Sequence, residues 1–273
     1  MMNSTLSPTN QRAIASLASL YALRMLGLFM VLPVMSLSGQ QLIGATPQLL
    51  GLAMGVYGLS QAFLQIPAGS LSDRIGRKPV IIGGLLIFAL GSIIAANSDT
   101  IYGVIIGRAL QGCGAIASAI MALVTDLTDE EHRMKAMASI GASIGLSFSV
   151  ALVLGPFLAQ LGGLSAIFTV TAVLAIAGIF TTIWLIPNPP KKTHRDASAL
   201  LPEVLRQLTN KQFWPLNIGI FLLHAVMVAI FVAVPRQLIA NGLSADDHST
   251  LYLPVLLVAF VLMVPMIIVA EKR

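Results

Sequence analysis

The feature that most limits this chain is a series of long apolar runs with almost no charge inside them. At 1.5 Å per residue, about 20 apolar residues in helix cross a hydrocarbon layer about 30 Å thick. Runs of that length lie at 13–36, 48–71, 79–97, 101–124, 136–160, 164–186, 214–234 and 251–270. Of the 273 residues, 56% are hydrophobic and only 10% are charged. A soluble domain carries roughly 25% charged residues. So few charges cannot cover a water-facing surface, and lipid is the natural solvent for the outside of the molecule. The runs predict an all-α membrane protein.

Charge is sorted between the loops. The segments 37–47, 98–100 and 161–163 carry no Lys or Arg. Bases stand instead at Arg12, at Arg74, Arg77 and Lys78, at Arg133 and Lys135, at Lys191, Lys192, Arg195, Arg206 and Lys211, and at Lys272 and Arg273. If each run crosses the membrane, all of these fall on one side and only Arg236 on the other. Basic loops are retained in the cytoplasm. Both termini are therefore expected there, in an inner (plasma) membrane of bacterial type. The formal net charge of +5 is a topology signal, and nucleic acid is not an expected partner.

Asn188-Pro189-Pro190-Lys191-Lys192 breaks the only long linker, after which 198–210 has the pattern of a short amphipathic surface helix. Trp184 and Trp214 flank this linker at the expected headgroup level. The expected organisation is a six-helix bundle over 1–186, a cytoplasmic linker over 187–213, and two further crossings over 214–273. The single cysteine, Cys113, allows no intramolecular disulfide and no metal site. The first twelve residues are polar, and the run that follows is too long for a secretory signal.

Between the second and third runs stands Gly69-Ser-Leu71-Ser72-Asp73-Arg74-Ile-Gly76-Arg77-Lys78. Topology alone would need only the bases, not the acid or the glycines. This segment resembles the G-x-L-a-D-R-x-G-R-K signature of the major facilitator superfamily, with Ser72 where Ala is usual. Arg108-Ala-Leu-Gln111-Gly112-Cys-Gly114-Ala115 is similar to that family's R-x-x-Q-G-x-G-A pattern in its fourth helix. Arg24-Met-Leu-Gly27-Leu-Phe-Met-Val-Leu-Pro33 resembles its YajR-type, drug-efflux-like branch. Gly155-Pro156-Phe-Leu-Ala159-Gln160 shares the GP, but not the GG, of the pattern typical of proton-driven drug antiporters.

The resemblance implies the major facilitator fold. The expectation is the N-terminal six-helix bundle plus the first two helices of the C-terminal bundle, truncated after the eighth helix. It also implies secondary transport of a small organic solute by alternating access. Within that reading, Gly69, Asp73, Arg74, Gly76, Arg77 and Lys78 form a conformational latch, with Asp126 as partner of Arg77, that would hold the outward-facing state and break on inward opening. Gly69 would admit a close neighbour, Gly76 the tight turn, and Asp73 could cap the third helix or meet a helix of the second half. A nonfunctional remnant, or a membrane interaction protein without transport, stands as the alternative.

Two arginines lie inside runs. Arg24 is about eleven residues into the first, and Arg108 about seven into the fourth. A base at that depth needs a partner or water. Both are candidate cavity residues, with Gln111, Tyr21, Gln61 and Gln65. No Asp or Glu lies mid-run, which favours anionic or neutral solutes over cations. His224 is then the candidate proton carrier. Gly51/Gly55, Gly103/Gly107 and Gly141/Gly145 have the spacing of helix-packing pairs. Gly155-Pro156 is expected to kink the fifth helix. There is no paired catalytic acid, HExxH, phosphate-binding loop or Gly-x-Ser-x-Gly. No enzyme activity, metal or cofactor is expected. The expected partners are the lipid bilayer, a small solute and protons.

Overall fold

The computed structural model describes residues 8–188, 206, 210–244 and 247–271. The break expected at Pro189–Lys192, the bases at Lys191, Lys192, Arg195, Lys272 and Arg273, and most of the surface helix expected over 198–210 lie outside the described residues. The described part is helical, apart from a single parallel bridge between Ile43 and Thr100.

The first run forms α1 (Pro8–Phe29) and α2 (Leu32–Ser38). Pro33 separates them, because its ring displaces the carbonyl four residues back and it has no N–H to donate. The second run is α3 (Pro47–Ile75), capped by the Thr46 hydroxyl on the Leu49 amide. The third is α4 (Arg77–Ala96). The fourth divides into α5 (Ile101–Cys113) and α6 (Ala117–Leu127), at a Gly114–Ile116 break that the hydropathy pattern does not show. The fifth and sixth runs form one 51-residue stretch, α7 (Glu130–Phe180). The seventh is α8 (Trp214–Ala240), and α9 (His248–Glu271) covers the eighth.

A straight helix the length of α7 would be about 77 Å long, far more than the bilayer. Its contacts show that it doubles back. Ser147 donates to the Ala22 carbonyl and Gly155 lies against Met30, so this part runs parallel to α1. Thr171 donates to Gly27, Gly178 lies against Leu20, and Ser16 donates to Leu185, so the remainder runs antiparallel to it. The reversal is at Gly162 and Gly163, the latter at φ 60° and ψ −149°, a left-handed conformation that glycine adopts without a Cβ clash. Backbone angles stay helical through Gly155-Pro156, so the expected kink is not a break. Gly155 instead admits the α1 main chain: a Cβ there would stand 2.6 Å from the Met30 carbonyl oxygen.

The bundle has two distinct ends. At one, the base-free loops meet: Ile43 donates to Asp99, Ile101 donates to Ile43, and Ser165 donates to Ala96. This is called the Gly44 end. The opposite, Gly76 end carries Arg74, Arg77 and Lys78 with Asp126. Apolar side chains pack in two main clusters, one toward each end. Met30, Val34, Leu50, Val104, Leu152 and Phe168 belong to the Gly44-end cluster. Leu17, Leu20, Ile81, Ile116, Ile120 and Ile140 belong to the Gly76-end cluster. The bundle also turns large apolar groups outward, among them Leu59, Phe63, Leu90, Ile106 and Val173, as lipid contact requires.

Helix α4 meets α5 and α6 with main chain against main chain. A Cβ on Gly107 would stand 2.5 Å from the Gly91 oxygen, and one on Gly91 2.5 Å from the Gly107 oxygen. Gly84 faces Ile116, and Gly114 faces the Gly84 carbonyl. The packing seam is therefore Gly84/Gly91 against Gly107/Gly114. Of the three expected pairs only Gly103/Gly107 packs: Gly51, Gly55, Gly141 and Gly145 have nothing within 4 Å of a Cβ position. A four-residue spacing marks a smooth helix face, and only a neighbour turns it into an interface.

Gly107→Ala is therefore expected to cost about 2 kcal/mol, the scale of forced overpacking. Gly55→Ala should leave stability unchanged or slightly raised, because Ala favours helix over Gly. Thermal unfolding of the detergent-solubilised chain checks the contrast.

Candidate functional site

Two groups of polar side chains stand out. The first closes the α3–α4 turn. Gly76 sits at φ 101° and ψ 154°, so the chain reverses between α3 and α4 in one residue, at an angle a side chain would oppose. The reversal brings Arg77 back over the end of α3. Its guanidinium pairs with Asp73. It also donates from Nε to Asp126 Oδ2 at 3.0 Å, and from Nη1 to Ser72 Oγ at 2.6 Å. Ser72 in turn donates to the Gly69 carbonyl at 2.6 Å. One buried cation thus ties together α3, α4 and the end of α6.

Ser72, the departure from the usual alanine, is part of this network. Gly69 lies against Ser118, where a Cβ would stand 3.1 Å from Oγ, and Ser118 donates to the Gln65 carbonyl at 2.9 Å. Arg74 is exposed and Lys78 half-buried. Asp73 does not cap α4: its carboxylate is on Arg77, and no side chain caps that helix.

The second group is a polar layer midway along the bundle, between the two apolar clusters. Arg24, Arg108 and Gln111 are fully buried, as is Ser92, and Tyr57 and Tyr21 are buried beside them. Arg108 Nε donates to the Ala53 carbonyl at 3.3 Å and Nη1 to Gln111 Oε1 at 2.8 Å. Gln111 Nε2 donates to Ser92 Oγ at 2.7 Å, and Ser92 donates to the Phe88 carbonyl at 2.8 Å. The Arg108 guanidinium carbon lies 4.7 Å from the centre of the Tyr57 ring, within cation–π range. Arg24 reaches the same tyrosine from α1, donating from Nη2 to its hydroxyl at 3.1 Å.

Tyr57 and Ser92 escaped the sequence reading. Tyr57 precedes Gln61 and Gln65 at four-residue intervals, so the polar face of α3 was open to detection. Ser92 carries no such signal. Gln61 is half-buried, and Gln65 holds its Oε1 buried without a partner. His224 is not drawn into this layer. It is exposed on α8, with Nδ1 2.8 Å from the Ile220 carbonyl of its own helix.

Helix α8 touches the rest of the bundle unevenly. Residues 211–226 are exposed, and the first half-buried position is Met227. Beyond it, Phe231 joins an edge-to-face row, 5.9 Å from the Phe148 ring, which is 5.1 Å from Phe29. Arg236 lines a cavity of about 380 Å³ with Gln40, Thr46 and Pro47 at the Gly44 end.

A helical bundle with an apolar exterior, a buried polar layer and a charge-clamped interhelical turn defines a multi-pass membrane protein of transporter type. The chain belongs to the Major Facilitator Superfamily, whose family model matches residues 17–271. It is 49% identical over 271 residues to the inner membrane transport protein YajR of Escherichia coli (strain K12), covering 98% of this chain and 59% of that protein. It is 40% identical over 247 residues to the uncharacterized transporter BU466 of Buchnera aphidicola subsp. Acyrthosiphon pisum (strain APS), covering 90% of this chain and 63% of that one. The chain thus spans about six tenths of these relatives. The fold is also similar to a bacterial homologue of the human lysosomal transporter Spinster in its inward-facing, unoccupied conformation. There the TM-score is 0.70 at 16% identity, over 90% of this chain and 59% of that one. These relatives are transport proteins, not enzymes.

Gln111→Leu is expected to destabilise by about 1–3 kcal/mol, because it strips a buried guanidinium of its acceptor. Adding Arg108→Met should recover part of that loss, since an apolar pair removes the stranded charge. A double-mutant cycle on thermal unfolding reads the coupling.

Proposed function

We propose that this chain is the substrate-handling part of a secondary transporter that moves a small organic solute across the inner membrane by alternating access. The observation that carries the reading is the Asp73–Arg77–Asp126 cluster. A guanidinium held between two carboxylates on separate helices is a contact that can be made or broken as a unit, because removing one partner leaves a buried charge uncompensated. Its place at the turn between two crossings fits a lock on helix movement. Topology does not need it.

The basic Gly76 end faces the cytoplasm in this reading, by the loop charges. The row Phe29–Phe148–Phe231 then closes the outer half of the bundle, while the inner half of α8 stands clear. That pose fits an inward-open state. The Arg77 contacts to Asp73 and Asp126 stay made in this pose, so the part of the latch that inward opening would break is the link from Asp73 to the second half of a complete transporter.

Orientation is checked by labelling single cysteines in a Cys113→Ser background. Ile43→Cys should react with an impermeant maleimide in intact cells, and Ile75→Cys only after permeabilisation; both residues are exposed. The reverse pattern would overturn the topology. For the latch, Asp73→Asn introduced at the matching position of full-length YajR should abolish solute-driven flux in proteoliposomes while membrane insertion is retained. Undiminished flux in that variant would sink the latch.

A further inference from the structure

The two buried arginines differ in how well they are satisfied. Arg108 has a main-chain carbonyl, a glutamine oxygen and an aromatic face. Arg24 is equally buried, at 1% exposure, yet its one hydrogen bond is to the Tyr57 hydroxyl. Its Nε and Nη1 are shut away from solvent with no acceptor. A guanidinium has five N–H donors and no acceptor of its own, so Arg24 keeps a polar edge with nothing to bind. A buried charge left this way costs several kcal/mol unless something pairs with it. No described carboxylate stands in the layer: Asp73 and Asp126 are committed at the Gly76 end.

We infer that Arg24 is the docking point for the anionic head group, of carboxylate type, of the transported solute, while Arg108 is a fixed support that holds the Tyr57 ring. This rests on the transporter reading above and names the solute class within it. The sharing of Tyr57 gives the division its geometry. Arg108 occupies the ring face, and Arg24 takes the hydroxyl, leaving Nε and Nη1 turned elsewhere. The polar face of α3 continues past the site. Gln61 and Gln65 follow Tyr57 one and two turns nearer the Gly76 end, and the Gln65 side-chain oxygen is also unpartnered. That face runs toward the Gly76 end. A cationic solute would meet two like charges here with nothing to offset them.

The test is thermal unfolding of the full chain in detergent, titrated with sodium benzoate, with sodium chloride, and with benzyltrimethylammonium chloride. Benzoate should raise the midpoint saturably, by about 2–4 °C near saturation, and the organic cation should add nothing beyond its chloride. Arg24→Gln should abolish the response, and Arg24→Lys should keep part of it. Arg24→Met, which removes the charge, should raise the baseline midpoint and also lose the response. Chloride matching benzoate, under the same Arg24 dependence, would overturn the carboxylate assignment and make this a site for a free inorganic anion. Absence of any anion response in the unmodified chain would overturn the proposal, as would a response that survives in Arg24→Gln and Arg24→Met. Either failure would leave the labelling and Asp73→Asn outcomes standing, so the solute class and the transporter reading fall separately.

Discussion

The structure depends on how closely α4 and α5 approach. Gly91 and Gly107 bring main chain against main chain, with no room for a methyl group between them. In lipid there is no hydrophobic gain in pushing two helices together, so dispersion contacts and polar links must supply the association. The close approach supplies the first and makes the second possible. It sets Ser92 within 2.7 Å of Gln111, and Gln111 then holds Arg108. Gly112 does the same for α3, lying against the Tyr57 carbonyl, so that Tyr57 reaches both arginines. The polar layer is a consequence of the glycines. Wider helix spacing would leave each of these groups stranded in hydrocarbon.

The protein uses arginine in three ways, and burial alone does not distinguish them. Arg77 is held by two carboxylates and a hydroxyl, beside a turn. Both carboxylates sit where water can reach them: the Asp73 and Asp126 side chains are 20% and 12% exposed. Arg108 is locked among neutral partners midway along the bundle, fully buried, where no such access is available. Arg24 has burial without pairing. A buried ion pair contributes little to net stability, while a broken one is costly. The first arrangement therefore suits a switch, the second a fixed scaffold, and the third a site that waits for a counter-charge.

Much of this was legible in the sequence, for reasons that differ between elements. The crossings were readable because each must be long and apolar, and the three base-free segments do meet at one end of the bundle. The Arg77–Asp126 contact was readable because the acid lies near the end of one run and the base just past the end of another. What escaped was set by neighbours. The Gly114–Ile116 break leaves hydropathy unchanged, so no periodicity reveals it. Gly51/Gly55 and Gly103/Gly107 have identical spacing, yet only the second is packed, because α4 presents Gly91 to Gly107 and the loop after α4 presents Ser98 to Gly103. His224 was attractive for its titration range, but its helix turns it away from the arginines and onto its own backbone. The pattern of a motif says which side chains share a face. It does not say what that face meets.

The doubling back of α7 carries this further. Its two limbs flank α1 from opposite directions, and each places a hydroxyl on an α1 carbonyl, Ser147 on Ala22 and Thr171 on Gly27. Those links lie on either side of Arg24, so the helix that bears the unpaired guanidinium is held along its length by both limbs. Helix α8, by contrast, meets the bundle only beyond Met227. Contact is therefore sparsest along the first half of α8 and densest along α1 on either side of Arg24. In the transporter proposed above, that ordering would let the groups that meet the solute keep their geometry while the surfaces around them part and close. Here the ordering follows from where hydroxyls and glycines fall along three helices, and the arginine with no described counter-charge sits on the most firmly held of them.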